Sequence, residues 1–313
     1  MTTQAPQFGV YVFNGGPVLA EPEIFEGIAR AAEDLGYEAI CVYDHVVMPS
    51  TLTDQHPYGG PGHFTAGPRE VYYDPLTTLA YLAGQTRRVK LITSALIAPY
   101  RPALLTAKML ASLDALSRGR LILGVGVGWS RDEFAALGVP FHKRGRLTDE
   151  TLRVWRTAWT EARPSFRGEL VAFEAVLFGP KPVQRPGPPL WIGGHSRAAL
   201  ERAVRFGDGW HATRLALPDM AAKLDELRAV ARAAGREAAE LTIALKLNLR
   251  LGQPAAAAAD LAGTPAEIAE RLRAYQRLGV GYVVLDVQGE RLDDVLASMR
   301  GFAEAVRPRL AGL

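Results

Sequence analysis

The chain reads as an α/β protein, a (β/α)8 barrel with loop insertions at the C-terminal face of its strands. Three observations predict this. Eight short apolar, β-rich runs alternate with helical patterns from one end of the chain to the other, the order expected of a parallel sheet covered by helices. The 313 residues, 48% of them hydrophobic, exceed the usual single-domain length unless the fold is a barrel of this kind. An open doubly wound sheet is the runner-up, but no Gly-x-Gly-x-x-Gly turn follows the first strand, and the later Gly124-x-Gly126-x-Gly128 has the wrong spacing for one.

The units follow in order. Phe8–Phe13 is a strand, and after Asn14-Gly15-Gly16 the apolar positions Ile24, Ile28, Ala31 and Leu35 recur at helical spacing. Ala39–Tyr43 leads, past a long loop, to a helix opening at Asp74-Pro75, where aspartate caps and proline suits the first turn. Val89–Ser94 precedes a helix over Pro102–Leu116. Leu121–Gly126 precedes helices around Arg131–Leu137 and Leu147–Glu161. Leu190–Gly193 is followed by helix Ser196–Phe206, Gly209–Ala212 by helix Asp219–Ala234, and Leu241–Leu251 by a helix at Thr264-Pro265-Ala266-Glu267, a capping-box sequence. Tyr282–Asp286 and helix Leu292–Val306 complete the set. The long loop from Val47 to Tyr73 reads as a lid, and Arg163–Pro189 as an excursion holding a small hairpin. No linker divides the chain, so residues 1–313 are expected to form one domain.

Composition narrows the function. The 36 basic and 33 acidic residues are interspersed and leave a net charge of +3, too small an excess to build a face for nucleic acid. No segment is long and apolar enough to span a bilayer, and the first residues lack a charged and apolar leader, so the expected location is cytoplasmic. The single cysteine, Cys41, lies in an apolar run and reads as a core residue.

In such a barrel the chemistry gathers at the C-terminal ends of the strands. The most informative stretch is Gly119-Arg120-Leu121-Ile122-Leu123-Gly124-Val125-Gly126-Val127-Gly128-Trp129, a strand whose glycines fall on one face. Such a face is either a seat where a flat ligand lies on bare backbone or a tight bend without a ligand. Asp44-His45 closes the second strand, as a proton-transferring pair or as a structural aspartate beside a buried histidine. Gly193-Gly194-His195-Ser196 ends a strand and opens a helix, which suits an anion, although glycine also favours any tight corner. Lys143-Arg144-Gly145-Arg146 could hold an acidic cofactor tail or be a solvated helix start. His45, His56 and His63 show no clustered ligand spacing, so no metal is expected.

In order along nearly the whole chain, these segments resemble the bacterial-luciferase-like superfamily, and within it the oxidoreductases that use the deazaflavin coenzyme F420. The resemblance is carried by Asp44-His45, Thr93-Ser94-Ala95, the run from Gly119 to Trp129 with Glu133-Phe134 and Leu137-Gly138-Val139-Pro140-Phe141 through Arg144-Gly145, and Gly193-Gly194-x-Ser196. It implies a barrel holding a flat tricyclic ring, with a non-proline cis peptide at Ser94–Ala95 behind it. It also implies His45 as the acid/base with Asp44 its neighbour, and cofactor contacts at Asn14, Ser94, Ala95, Gly126, Gly128, Trp129, Arg144, Gly193, Gly194, His195 and Ser196. Trp129 stands where the sugar-phosphate dehydrogenases of this family carry a catalytic glutamate, so that activity is not expected. Hydride transfer between F420 and a small organic substrate is the implied function, with a homodimer and a separate enzyme supplying reduced cofactor. A monooxygenase using reduced FMN, or a flavin-binding barrel without turnover, are the alternatives.

Overall fold

The computed structural model describes residues 6–12, 15–16, 21–48, 71–287, 289 and 291–310. Asn14, His56 and His63, and residues 49–70 of the long loop, lie outside them.

Eight parallel strands close into a barrel: β1 (Gln7–Tyr11), β2 (Ala39–Val42), β3 (Lys90–Ile97), β4 (Leu121–Gly126), β5 (Leu190–Gly193), β6 (Gly209–Thr213), β7 (Thr242–Leu251) and β8 (Tyr282–Val287). Each pairs in parallel with the strand before it, and β8 pairs back to β1 through Gln7 opposite Tyr282 and Val10 opposite Leu285. Helices α1 (Pro22–Asp34), α2 (Pro75–Gln85), α3 (Ala103–Leu116), α4 (Arg131–Ala136), α5 (Arg144–Thr160), α6 (Arg197–Phe206), α7 (Leu217–Ala233), α8 (Pro265–Leu278) and α9 (Leu292–Gly301) follow the strands.

Local chemistry explains the ends. Asp74 Oδ1 accepts from Thr77 N at 2.9 Å ahead of Pro75, and Thr264 and Glu267 form the expected capping box. Two helices start earlier than their apolar pattern: α5 at Arg144 rather than Leu147, and α7 at Leu217 rather than Asp219. In the excursion after α5, Phe166–Arg167 pairs antiparallel with Ala172–Phe173 as a hairpin. The buried Glu150 carboxylate holds its turn by accepting from Glu169, Leu170 and Val171 backbone N–H groups at 2.8–2.9 Å.

Strand alternation creates two cores. Phe8, Val10, Ile40, Val42, Leu91, Leu121, Leu123, Val125, Ile192 and Leu245 point outward against the helices. Tyr11, Ala39, Cys41, Ile92, Ile122, Trp191, Ala244, Tyr282 and Val284 fill the barrel interior. Burial there pushes the Cys41 thiol up, out of the range of a nucleophile. At the opposite end of β4 from the glycines, the Arg120 guanidinium donates to the Ala83, Thr86, Ser117 and Val89 carbonyls and to Thr86 Oγ1, capping the ends of α2 and α3.

The glycines of β4 have protein neighbours. The pairing of β3 with β4 shifts register between Thr93 and Leu96. The displaced Thr93 carbonyl oxygen occupies the place where a Cβ on Gly124 would stand, while Thr93 Oγ1 donates to the Gly124 carbonyl at 2.9 Å. Gly128 has φ +83°, and a Cβ there would lie 2.9 Å from Ile97 Cγ2 and run into the Phe134 ring. At these two positions the bare backbone serves the packing of β3 and α4.

Candidate active site

β2 ends at Val42, and the chain leaves the ladder so that Asp44 and His45 find different partners. Asp44 accepts from Arg101 Nη1 and Nη2 at 2.8 and 2.9 Å and from Ile97 N at 2.9 Å, and Arg101 also donates to Asp74 at 2.6 Å. Burial pushes the Asp44 carboxyl up, against the pull of Arg101. The geometry makes Asp44 a tie between the ends of β2 and β3, and its carboxylate is turned to Arg101 and not to the imidazole.

His45 instead pairs with Glu133 of α4. Its Nδ1 lies 3.1 Å from Glu133 Oε2, which also accepts from the Tyr100 hydroxyl at 2.8 Å; Oε1 accepts from Val46 N at 2.7 Å. Glu133 is completely buried. Burial alone would raise its carboxyl, but His45, the Val46 amide and Tyr100 together hold it below the usual range, so it is ionised and accepts from Nδ1–H. Tyr72, Tyr43 and Trp129 stand edge-on around the imidazole, with centroids 5.1, 6.3 and 6.3 Å away.

On the neighbouring strand ends the Ser94–Ala95 peptide is cis, as the resemblance implies. Ala95 lies between Gly126 and Gly193: Cβ atoms built on those glycines would be 3.5 and 3.9 Å from Ala95 Cβ, and the one on Gly126 would also come 3.1 Å from the end of the Ile97 side chain. At Gly193 nothing would come closer than 3.4 Å, so a side chain would fit and its absence leaves a cradle. A flat ring fits this strip of small residues. The preceding Ser94 has its Oγ 2.6 Å from His211 Nε2, and its carbonyl accepts from the Tyr11 hydroxyl.

The far wall of the mouth is charged. Lys246 Nζ lies 3.8 Å from the centre of the Tyr11 ring and 3.1 Å from Asp286; its side chain is 14% exposed, and burial lowers its pKa. Arg214, with φ +50°, turns its guanidinium toward Asn248 at 3.1 Å and Asp286 at 3.5 Å.

In the corner after β5 the Gly194 carbonyl and the side chains of His195 and Ser196 make local bonds. Gly194 has φ +112° and its carbonyl accepts from Trp210 Nε1 at 2.9 Å; Ser196 Oγ caps α6 by accepting from Ala199 N at 3.2 Å; His195 Nε2 accepts from Thr213 N at 3.1 Å. Arg144 stacks on one side of the Phe141 ring at 3.8 Å, with Arg131 also over that ring at 4.4 Å. Arg144 Nε is buried without a hydrogen-bond partner, which fits an acidic group arriving from outside. Arg202 of α6 donates to the Gly145 carbonyl at 3.3 Å and so ties the start of α5 to this corner.

Burial, then the neighbouring cations, lower His211 to about 3 and His195 to about 4. In the unfolded chain both would bind protons near pH 6.5. Their folded values are depressed, so the stability they contribute is complete above pH 6.5 and is lost as the pH falls toward 4 and then 3. The melting temperature is therefore expected to fall on acidification below pH 6.5, and less steeply in a His211→Gln variant; an equal slope in the variant would contradict this.

Residues 7–262 match the family model described as luciferase-like monooxygenase. The chain belongs to that family. An FMNH2-dependent dimethylsulfone monooxygenase of Pseudomonas putida is 35% identical over 176 residues, 55% of this chain and 48% of the relative, so the match spans about half of that relative's length. An uncharacterized protein of Mycobacterium tuberculosis is 29% identical over 275 residues, 88% of this chain and 91% of its own. Among solved structures, the monooxygenase RslO1 of Streptomyces bottropensis superposes with a TM-score of 0.79 at 26% identity, covering 97% of this chain and 100% of its own. An F420-dependent secondary alcohol dehydrogenase gives a TM-score of 0.80 at 16% identity, covering 99% and 100%, a likeness of fold alone. Among the described residues no helix is long and apolar enough to cross a membrane.

Within this luciferase-like frame, sequence reasoning singled out His45 and the Ser94–Ala95 corner but missed Glu133, Arg101 and Lys246 as site residues. For Lys246 a signal existed. Ala244, Lys246 and Asn248 alternate along β7 with outward Leu245 and Leu247, which places a lysine on the interior face.

Proposed function

We propose that this luciferase-like protein is an oxidoreductase that transfers a hydride between coenzyme F420 and a small organic substrate, with His45 as the acid/base. The observation that carries the reading is the Tyr100–Glu133–His45 chain beside the strip of Ala95, Gly126 and Gly193. The bound deazaflavin would supply or accept the hydride. Glu133 stabilises the imidazolium and fixes its orientation; His45 Nε2 delivers a proton to the substrate oxygen as a carbonyl is reduced, and takes it back in the reverse direction. Tyr72 and Trp129 keep water from that proton. Ala95, Gly126 and Gly193 would seat the ring, and Arg144, with the corner Gly193–Ser196, its anionic arm. A separate dehydrogenase or reductase would supply the reduced cofactor.

The second reading, a monooxygenase using reduced FMN, is favoured by the similarity to the FMNH2-dependent dimethylsulfone monooxygenase. The two are separated by incubating the protein with a panel of small ketones and aldehydes and either reduced F420 or reduced FMN, with oxygen excluded or admitted. Oxidation of reduced F420 coupled to alcohol formation without oxygen is the expected result. Product formed only with reduced FMN and oxygen would establish the second reading in its place.

A further inference from the structure

We propose that His211 is a positioning residue that turns the Ser94 hydroxyl into a hydrogen-bond donor aimed at an acceptor atom on the edge of the bound ring. The inference rests on the ring seat of the previous subsection. The two side chains come from β3 and β6, which are not neighbours in the barrel, and meet in its interior with Ser94 Oγ 2.6 Å from His211 Nε2. Both are buried, and Trp191 lies against the imidazole with ring centroids 6.2 Å apart.

The direction of this bond follows from what the other atoms do. His211 Nδ1 is buried and has no partner. A neutral imidazole carries one proton. If Nδ1 held it, a buried N–H would be orphaned, which is rare in folded proteins, whereas an acceptor lone pair left without a donor is less so. Nε2 therefore carries the hydrogen and donates to Ser94 Oγ. A hydroxyl that accepts this bond keeps its own hydrogen for another acceptor. The Ser94 carbonyl is already engaged by the Tyr11 hydroxyl, which fixes the backbone from the other side. Ser94 is joined directly to Ala95, the small residue between Gly126 and Gly193, and the proposal places its remaining O–H at the edge of that cradle. An uncharged donor there suits the carbonyl oxygens and ring nitrogens that a deazaflavin and FMN share.

Two measurements test this. Nitrogen-15 NMR of the cofactor-free protein with labelled histidine should show His211 protonated at Nε2; protonation at Nδ1 would overturn the inference whatever the cofactor proves to be. Dissociation constants for F420 and FMN should then be measured by fluorescence for wild type, Ser94→Ala, His211→Leu, the double variant and His211→Gln. Loss of one neutral hydrogen bond predicts about fivefold to tenfold weaker binding for Ser94→Ala. His211→Leu should weaken binding to a similar degree and add little to Ser94→Ala, while His211→Gln, whose amide can donate from nearly the place of Nε2, should stay near wild type. Unchanged affinity in Ser94→Ala, or additive losses in the double variant, would overturn the proposal. Failure of the wild type to bind either cofactor would instead overturn the ring seat, and this inference with it.

Discussion

His45→Ala is expected to lower turnover by about a hundred- to ten-thousand-fold while leaving cofactor affinity near that of the wild type. The imidazole is held by Glu133 and bordered by Tyr43, Tyr72 and Trp129, whereas the strip that would seat the ring is made by Ala95, Gly126 and Gly193 from other strands. Removing the imidazole would delete the proposed proton carrier and leave the proposed seat in place. Glu133→Gln provides the companion test. Its amide oxygen can still accept from Nδ1–H and Tyr100, but the negative charge is gone and the amide nitrogen faces the Val46 N–H that Oε1 now satisfies, so turnover should fall while cofactor affinity stays near that of the wild type. Steady-state kinetics and cofactor titration of both variants check this. Full turnover by His45→Ala would make the Glu133–His45 pair a structural tie only.

The second large effect is on folding. Gly124→Ala should destabilise the protein by more than about 3 kcal/mol, the range reached when a side chain is forced into an overpacked core. A methyl group there meets the Thr93 carbonyl oxygen, which belongs to the backbone of a central strand and cannot rotate away. Gly84→Ala is the control. It lies inside α2 with nothing within 4 Å of the added Cβ, so alanine should be neutral or stabilise by about 0.5–1 kcal/mol. Urea unfolding of the two variants compares them directly, and equal midpoints would contradict the packing account of Gly124.

These two tests also show which parts of the molecule were legible in the chain. The barrel was, because apolar runs and helical repeats alternate through it and caps such as Asp74-Pro75 and Thr264-Pro265 mark helix starts. The start of α5 was lost because polar residues begin it: Arg144-Gly145-Arg146 carries no apolar period, yet Arg144 is held by the Phe141 ring. His45 could be picked out because it closes a strand. Glu133 could not, because it lies in a six-residue helix and meets His45 across 88 positions of sequence. At Gly124 and Gly128 the sequence could not show the displaced Thr93 carbonyl or the Phe134 ring that the bare backbone accommodates.

The most direct test of the account is a parallel titration of the protein with F420 and with FMN, followed by absorbance, since the two ring systems differ spectrally. Tighter binding of F420, weakened in an Arg144→Ala variant that removes the guanidinium from the acidic arm, is the result predicted here. Equal or tighter binding of FMN, together with product formation that depends on oxygen, would contradict it.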